Sequence, residues 1–184
     1  MDFTYLETLS DGYDREQILS DMVLAYRNEV WDYALSLTRS PHMADDIVQD
    51  VFLAVYEKLH TFRGEASIKT WLLRITRNIS FNRRKSSFVR RVLLMKELPE
   101  DGSSAPSAEH EAMNNLISSE AWRLVLQLPV KQREVMVLHA HHSLSNEEIA
   151  SLLRLPVGTV KSRLHHARIK LAKNYGGGQE HDGI

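Results

Sequence analysis

The sequence predicts an all-α protein, two small helical domains joined by a flexible acidic linker. Three observations carry this. Apolar residues recur at spacings of three and four along both halves of the chain. No stretch shows the period-two alternation of a half-buried strand. Between the halves lies a segment with Pro99, Gly102, Ser103, Ser104, Pro106 and Ser107, a composition that punctuates structure rather than forming it.

In the first half, Ile18, Met22, Tyr26, Val30, Tyr33 and Leu37 predict one long or broken helix over residues 14–38. Ser40 followed by Pro41 suits an N-cap and first helical position, because proline lacks an N–H that would be unsatisfied there in any case. Ile47, Val48, Val51, Phe52, Val55 and Leu59 then form a wide apolar face, and Arg63-Gly64 ends the unit. Trp71, Leu72 and Ile75 begin a further helix over 70–79, which closes a first domain at residue 86. Residues 87–112 form the linker. Five acidic and no basic residues lie between Glu97 and Glu111, too polar a composition to bury a core. Fully extended, the linker spans at most about 90 Å, enough to set two domains about two duplex turns apart.

A second domain occupies 113–175, and residues 176–184 read as a frayed tail. From Ser143 to Arg168 this domain reads as helix, tight turn, helix. Ser145 and Glu148 form a capping box, each side chain satisfying a free backbone N–H at the helix start. Ile149, Ala150, Leu152 and Leu153 supply a buried stripe, Leu155, Pro156 and Gly158 interrupt it, and Val160, Leu164, Ala167 and Leu171 resume it. Opposite those four lie Ser162, His165, His166 and Ile169, flanked by Lys161, Arg163 and Arg168. Such a face can touch base edges at its centre and phosphates at its margins. A solvated helix pair in an ordinary bundle has the same outline.

Composition narrows the possibilities. The 184 residues are 43% hydrophobic, enough for real cores. No run approaches the roughly 18 apolar residues of a membrane span, and the acidic N-terminus is unlike a secretion signal, so a cytoplasmic location is expected. The absence of cysteine excludes disulfides and thiolate metal sites within the chain. A net charge of −1 conceals strong separation. Residues 1–57 hold twelve Asp or Glu against three Arg. Residues 63–91 hold nine Lys or Arg against one Glu, and residues 154–173 add six basic residues and no acidic one. Two basic blocks suggest two contacts with a polyanion. The acidic block suggests a different partner.

At this point the chain resembles the extracytoplasmic-function group of bacterial sigma factors, the smallest of the sigma-70 type. The segment ADDIVQDVFLAVYEKLHTFRGEASIKTWLLRITRNISFNRRK is similar to that family's domain 2, and LPVKQREVMVLHAHHSLSNEEIASLLRLPVGTVKSRLHHARIKL to its domain 4. The resemblance implies a non-enzymatic initiation factor that recruits core RNA polymerase, recognises two promoter DNA elements and promotes opening for an alternative regulon. It implies core-polymerase contacts at Asp45, Asp46, Gln49 and Asp50. Contacts to the −10 element would fall to Arg74, Arg77, Asn78, Ser80, Asn82, Arg83 and Arg84. Those to the −35 element would fall to Thr159, Lys161, Ser162, Arg163, His165, His166 and Arg168. His166 stands where the family often has Arg, which leaves the base preference there open. Trp71 and Phe81 could stack on an unpaired base, but apolar neighbours favour a core role for Trp71. The family also implies an anti-sigma protein, often membrane-anchored, as a partner; no cofactor, metal or small-molecule substrate is expected.

Other readings remain at this stage. An ordinary helix–turn–helix regulator with an N-terminal sensing or dimerising domain would not need the basic block at residues 63–91. A helical enzyme holding magnesium at Asp45, Asp46 and Asp50 would need a second acidic motif, for which the chain offers no good candidate. Arg133 suits either an internal ion pair or a phosphate contact. His139, His141 and His142 do not share a helical face and read as a solvated helix end rather than a metal site.

Overall fold

In the computed structural model, which describes residues 15–59, 62, 66–93 and 119–176, every regular element is helical. Three helices, α1 (Arg15–Thr38), α2 (Pro41–Lys58) and α3 (Ile68–Leu93), form the first module, and α4 (Glu120–Gln127), α5 (Val130–Ala140), α6 (Asn146–Leu153) and α7 (Val157–Gly176) form the second. The turn read at Arg63-Gly64, most of the linker with its carboxylates, and residues 177–184 lie outside the described residues. The helix α3 continues through residues 87–93, which the sequence reading assigned to the linker.

Local chemistry sets the helix starts. Ser40 caps α2, its hydroxyl accepting the Met43 N–H at 3.3 Å with Pro41 in the first turn. Before it, Arg39 takes a left-handed conformation (φ 60°) and its N–H closes α1 on the Leu35 carbonyl at 2.8 Å, so the chain reverses within two residues. Ser67 begins α3 by accepting the Thr70 N–H at 3.1 Å. No break divides α1 over 15–38.

Met22, Val30, Trp31, Ile47, Val51, Val55 and Leu72 fill the first core, with the Phe62 and Trp71 rings edge to face at 5.3 Å on its margin. Trp71 thus takes the structural place expected of it. The second core is built from Trp122, Leu128, Val135, Leu138, Ile149, Leu152, Val160 and Leu164. At about 1.5–3 kcal/mol per buried large aliphatic side chain, each cluster favours its own module strongly.

The two modules are not merely tethered. Tyr33, Leu37 and Leu73 of the first module belong to the second module's cluster, and α1 packs on α5 while α3 packs on α6. This accounts for residues 30–37 of α1, all of which are buried: one side faces α2 and α3, the other faces α5. A helix covered all round has no room for a polar face. The run Val30-Trp31-Asp32-Tyr33-Ala34-Leu35-Ser36-Leu37 reads accordingly.

The contact also corrects the reading of the histidines. His142 is 2% exposed, its ring edge-on to Tyr33 of α1 at 5.7 Å. His141 lies 2.7 Å from the Asp32 carboxylate and edge-on to Trp122 at 5.4 Å. His139 Nδ1 meets the Leu144 carbonyl at 3.1 Å. A helix end packed against the other module replaces the solvated one expected. Among the described residues no group of His, Asp and Glu is placed to hold a metal ion.

Candidate nucleic-acid interface

The helix–turn–helix is assembled as its sequence requires. Ser145 Oγ accepts the Glu148 N–H at 3.1 Å, and Glu148 Oε2 accepts the Ser145 N–H at 2.8 Å. At the far end Arg154 is left-handed (φ 55°), and the Leu155 N–H donates to the Ala150 carbonyl at 2.9 Å. The Pro156 carbonyl accepts from Thr159 and Val160 at 2.9 and 3.3 Å, starting α7. Val160, Leu164 and Ala167 are buried against α5 and α6, which fixes the roll of α7.

That roll leaves Lys161, Ser162, His165, His166 and Arg168 exposed, with Thr159 and Arg163 half-buried beside them. Ser162 Oγ donates to the Thr159 carbonyl at 3.0 Å, and the His165 and His166 rings meet at 5.7 Å. The side chains assigned to a −35 contact therefore lie on the part of α7 that the core leaves uncovered, with Thr159 and Arg163 at its margin. Gly158 opens this helix with a Cβ position that meets nothing within 4 Å, so the protein itself does not demand glycine there.

The −10 candidates on α3 are dispersed over several faces. Asn78 and Asn82 are exposed. Arg83 reaches back to α2, its Nε and Nη1 donating to Asp50 and Asp46 at 2.6 and 2.9 Å. Arg77 turns to the other module, where its Nε donates to Glu134 Oε1 of α5 at 2.8 Å. Arg77 and Arg84 lie 4.9 and 5.8 Å from the Phe81 ring centroid, and Phe81 packs against the second module's core. Arg74 is half-buried. Ser80 is 0% exposed, so in this arrangement its hydroxyl cannot meet a base.

Of the polymerase-contact candidates, Gln49 is exposed while Asp46 and Asp50 hold Arg83. Asp45 accepts from Trp31 Nε1 at 2.8 Å. Beside Gln49, Leu53 and Tyr56 continue the same edge of α2, 65% and 43% exposed; the sequence reading did not single them out, although their i, i+4, i+7 spacing was visible.

Sequence reasoning also missed the groups that join the modules. Arg133 is buried and donates to the carbonyls of Ser36, Leu126 and Leu128. Burial, and then the charges of Arg39 and Arg84, lower its pKa to about 10, which still leaves it cationic at neutral pH. Its partners within the fold are thus backbone carbonyls rather than an internal carboxylate. Arg39 Nη2 adds a second bond to the Leu128 carbonyl at 3.2 Å, and Tyr33 Oη donates to Glu134 at 3.3 Å. Burial and then the Glu134 charge raise the Tyr33 pKa, keeping its hydroxyl protonated as a donor. No periodicity announces any of these pairs.

Residues 22–87 match the family model for sigma-70 region 2, and residues 118–171 match that for sigma-70 region 4. The ECF RNA polymerase sigma-E factor of Haemophilus influenzae is 34% identical over 158 residues, covering 80% of this chain and 82% of that protein. This chain belongs to the ECF RNA polymerase sigma factors. The Bacillus subtilis ECF RNA polymerase sigma factor SigW is 28% identical over 86% of the chain and 89% of its own length. Two solved structures share the fold. The sigma factor RpoE of Bartonella quintana, in complex with the anti-sigma factor NepR, matches with a TM-score of 0.69 and 23% identity over 85% of this chain and 96% of that one. CnrH in complex with the cytosolic domain of CnrY matches with a TM-score of 0.63 and 22% identity over 94% and 93%. The ECF sigma factor described here is therefore an alternative factor for transcription initiation. Among the described residues no helix is long and apolar enough to cross a membrane.

Proposed function

We propose that this sigma factor brings core RNA polymerase to promoters by reading duplex DNA with α7 and the −10 element with α3, while the α2 edge docks on the polymerase. The observation that carries the reading is the ridge on α7. A region 4 helix holds Lys161, Ser162, His165, His166 and Arg168 in the open, on a chain that also possesses a region 2 module. The ridge has donors and acceptors at its centre and cations at its margins, as base readout and phosphate anchoring require. Asp45, Asp46, Gln49 and Asp50, extended by Leu53 and Tyr56, offer a mixed acidic and apolar strip to a basic or polar partner surface. Arg74, Arg77, Arg83 and Arg84 supply cations, and Asn78 and Asn82 amide groups, for an opened strand; the buried Ser80 supplies no contact in this arrangement.

The factor contributes no catalytic group; bond formation belongs to the polymerase, and the work is done in the cytoplasm. An anti-sigma partner completes the system, a reading supported by the two solved relatives, both captured with one. Transcription in vitro with core polymerase and a library of genomic fragments tests the proposal. Promoter-specific starts that appear only with the added factor are the expected result. Equal starts with and without it would end this reading.

A further inference from the structure

Two guanidinium groups converge on one neutral oxygen at the seam between the modules. Arg133 Nη1 of α5 and Arg39 Nη2 of the turn after α1 both donate to the Leu128 carbonyl, at 2.9 and 3.2 Å. A carbonyl carries only a partial charge, so it orients the two cations without neutralising them. Arg84 of α3 is a third. Burial, and then the charges of Arg39 and Arg84, act on the Arg133 guanidinium. The opposing charge felt there is Glu134, which already holds Arg77 at 2.8 Å. The first turn of α5, beside Leu128, has no acidic residue and no side-chain cap. Arg84 itself lies 5.8 Å from the Phe81 ring centroid, a neighbour that cancels none of its charge.

Like charges gathered in this way cost free energy unless something negative stands among them. We infer that the seam carries a phosphate site, in which a phosphate-bearing anion lies between Arg39 and Arg84 over the buried Arg133. The chemistry of the donors selects the ligand. A guanidinium is a planar fork whose N–H groups meet phosphate oxygens in pairs. A carboxylate offers two oxygens and one charge, which suits a single arginine. Three guanidiniums from three segments call for more oxygens and a second charge, and a phosphate monoester or a diphosphate has both. Arg39 is exposed and Arg84 half-buried, so the anion reaches them from solvent. Arg133, 2% exposed, contributes its field and the fixed position of the Leu128 carbonyl.

Arg39 and Arg84 belong to the first module, Arg133 and Leu128 to the second. The site is therefore complete only in the closed form, with the modules packed as they are here. An anion that binds one form alone shifts the balance by mass action. At ten times its dissociation constant it raises the ratio of closed to open chain about elevenfold. Promoter reading is not required for this, and the free chain suffices to test it.

The native chain has no cysteine, so thiols introduced at the exposed positions Leu24→Cys and Ser151→Cys take a donor and an acceptor dye cleanly. The labelled chain is titrated with inorganic pyrophosphate and, separately, with a random-sequence DNA single strand, each against sodium chloride at equal ionic strength. Pyrophosphate should raise energy transfer to a plateau and raise the urea midpoint with it; the midpoint decides if the free chain is already fully closed. Arg39→Gln and, separately, Arg84→Gln should each raise the half-saturating concentration about tenfold. Lys170→Gln, which removes an exposed charge of α7 one turn beyond His166, should leave it unchanged. Circular dichroism reports whether each variant keeps its helices. A response to pyrophosphate that depends on Arg39 assigns the site to free phosphates, and one confined to the strand assigns it to the phosphates of a nucleic acid. Equal half-saturation in the parent, Arg39→Gln and Arg84→Gln would overturn the site, as would a response that chloride reproduces. The absence of any plateau with either probe would overturn it as well.

Discussion

Two basic helices of this molecule, α7 and α3, meet opposite fates. On α7 the cations and histidines of the outer face look into solvent, because the buried row Val160, Leu164 and Ala167 consumes the other side completely. On α3 both sides are used. One packs on the first core through Leu72, Ile75 and Ile79, and another meets the second module through Leu73, Arg77 and Phe81. Its arginines are consequently held by carboxylates, Arg77 by Glu134 and Arg83 by Asp46 and Asp50. A basic helix is thus a DNA site in waiting only when nothing acidic in the same chain reaches it first.

The strongest way to break this contrast is to remove the cation that pins the seam. Arg133→Met leaves the Ser36, Leu126 and Leu128 carbonyls without their shared donor. We expect a loss of about 3 kcal/mol, read as a lower urea midpoint for the second module. It should also free α3, bringing its single-strand binding closer to the open behaviour of α7. An unchanged midpoint would mean that the three bonds contribute nothing net.

Acidification should act in the same direction with a smaller effect. Burial, followed by the charges of His141 and Lys69, lowers the His142 pKa from 6.5 to about 3. Around the ring stand Tyr33 and Glu29 of α1, Lys69 of α3 and the neighbouring His141, which itself faces Asp32. Glu29 Oε2 is 3.9 Å from Nδ1, too far for a hydrogen bond. A base whose folded pKa is depressed stabilises the closed form fully above its unfolded value, and that contribution declines as pH falls below about 6.5. By pH 5 the loss is about 2 kcal/mol, since each unit corresponds to about 1.4. The dye-labelled chain should lose energy transfer between pH 7.5 and 5, and His142→Phe should flatten that response. Equal pH profiles in the parent and His142→Phe would show that another group controls it.

How much of this was legible in the sequence depends on whether a feature is local or distant. Ser145 and Glu148 are three residues apart and found each other as expected; Ser40 and Pro41 did the same for α2. The apolar rows predicted both cores, because a helical period fixes which residues share a side. The two-module helical architecture and the family follow from those rows and the motifs on them. The seam did not. Arg133 lies 97 positions from Ser36, Arg77 57 positions from Glu134, and a charged residue's periodicity is the same whether it faces water or a carboxylate. One trace was present. The nearly unbroken apolar run over 30–37 in α1 is too wide for a helix with a wet side, and Tyr33 and Leu37 are the residues that reach the second module.

On α7 the prediction is simpler, since among the described residues no carboxylate pairs with its ridge. Lys161→Ala should weaken duplex binding severalfold and reduce the slope of log affinity against log salt by about 0.9, the signature of one lost phosphate contact. Energy transfer between the modules should not change. The equivalent loss at Arg77 should do the reverse in the free chain, altering the seam before it alters any DNA measurement. If Lys161→Ala weakened binding with no change in salt slope, its role would be base contact rather than phosphate neutralisation.

The finest test separates what the fold needs from what DNA needs at the start of α7. A Cβ at Gly158 would meet open space, and glycine in a helix is about 0.5–1 kcal/mol worse than alanine. Gly158→Ala should therefore stabilise the protein slightly, by up to that amount, with the urea midpoint moving upward. If the sugar-phosphate backbone approaches this turn closely, the same methyl group should weaken duplex binding, so stability and affinity move in opposite directions. A variant more stable and equally good at binding would place the approaching strand farther along the ridge, toward Lys161 and His165. On α3 the substitutions at Arg77 and Arg83 cannot be read so cleanly, because both side chains also answer to carboxylates within the fold.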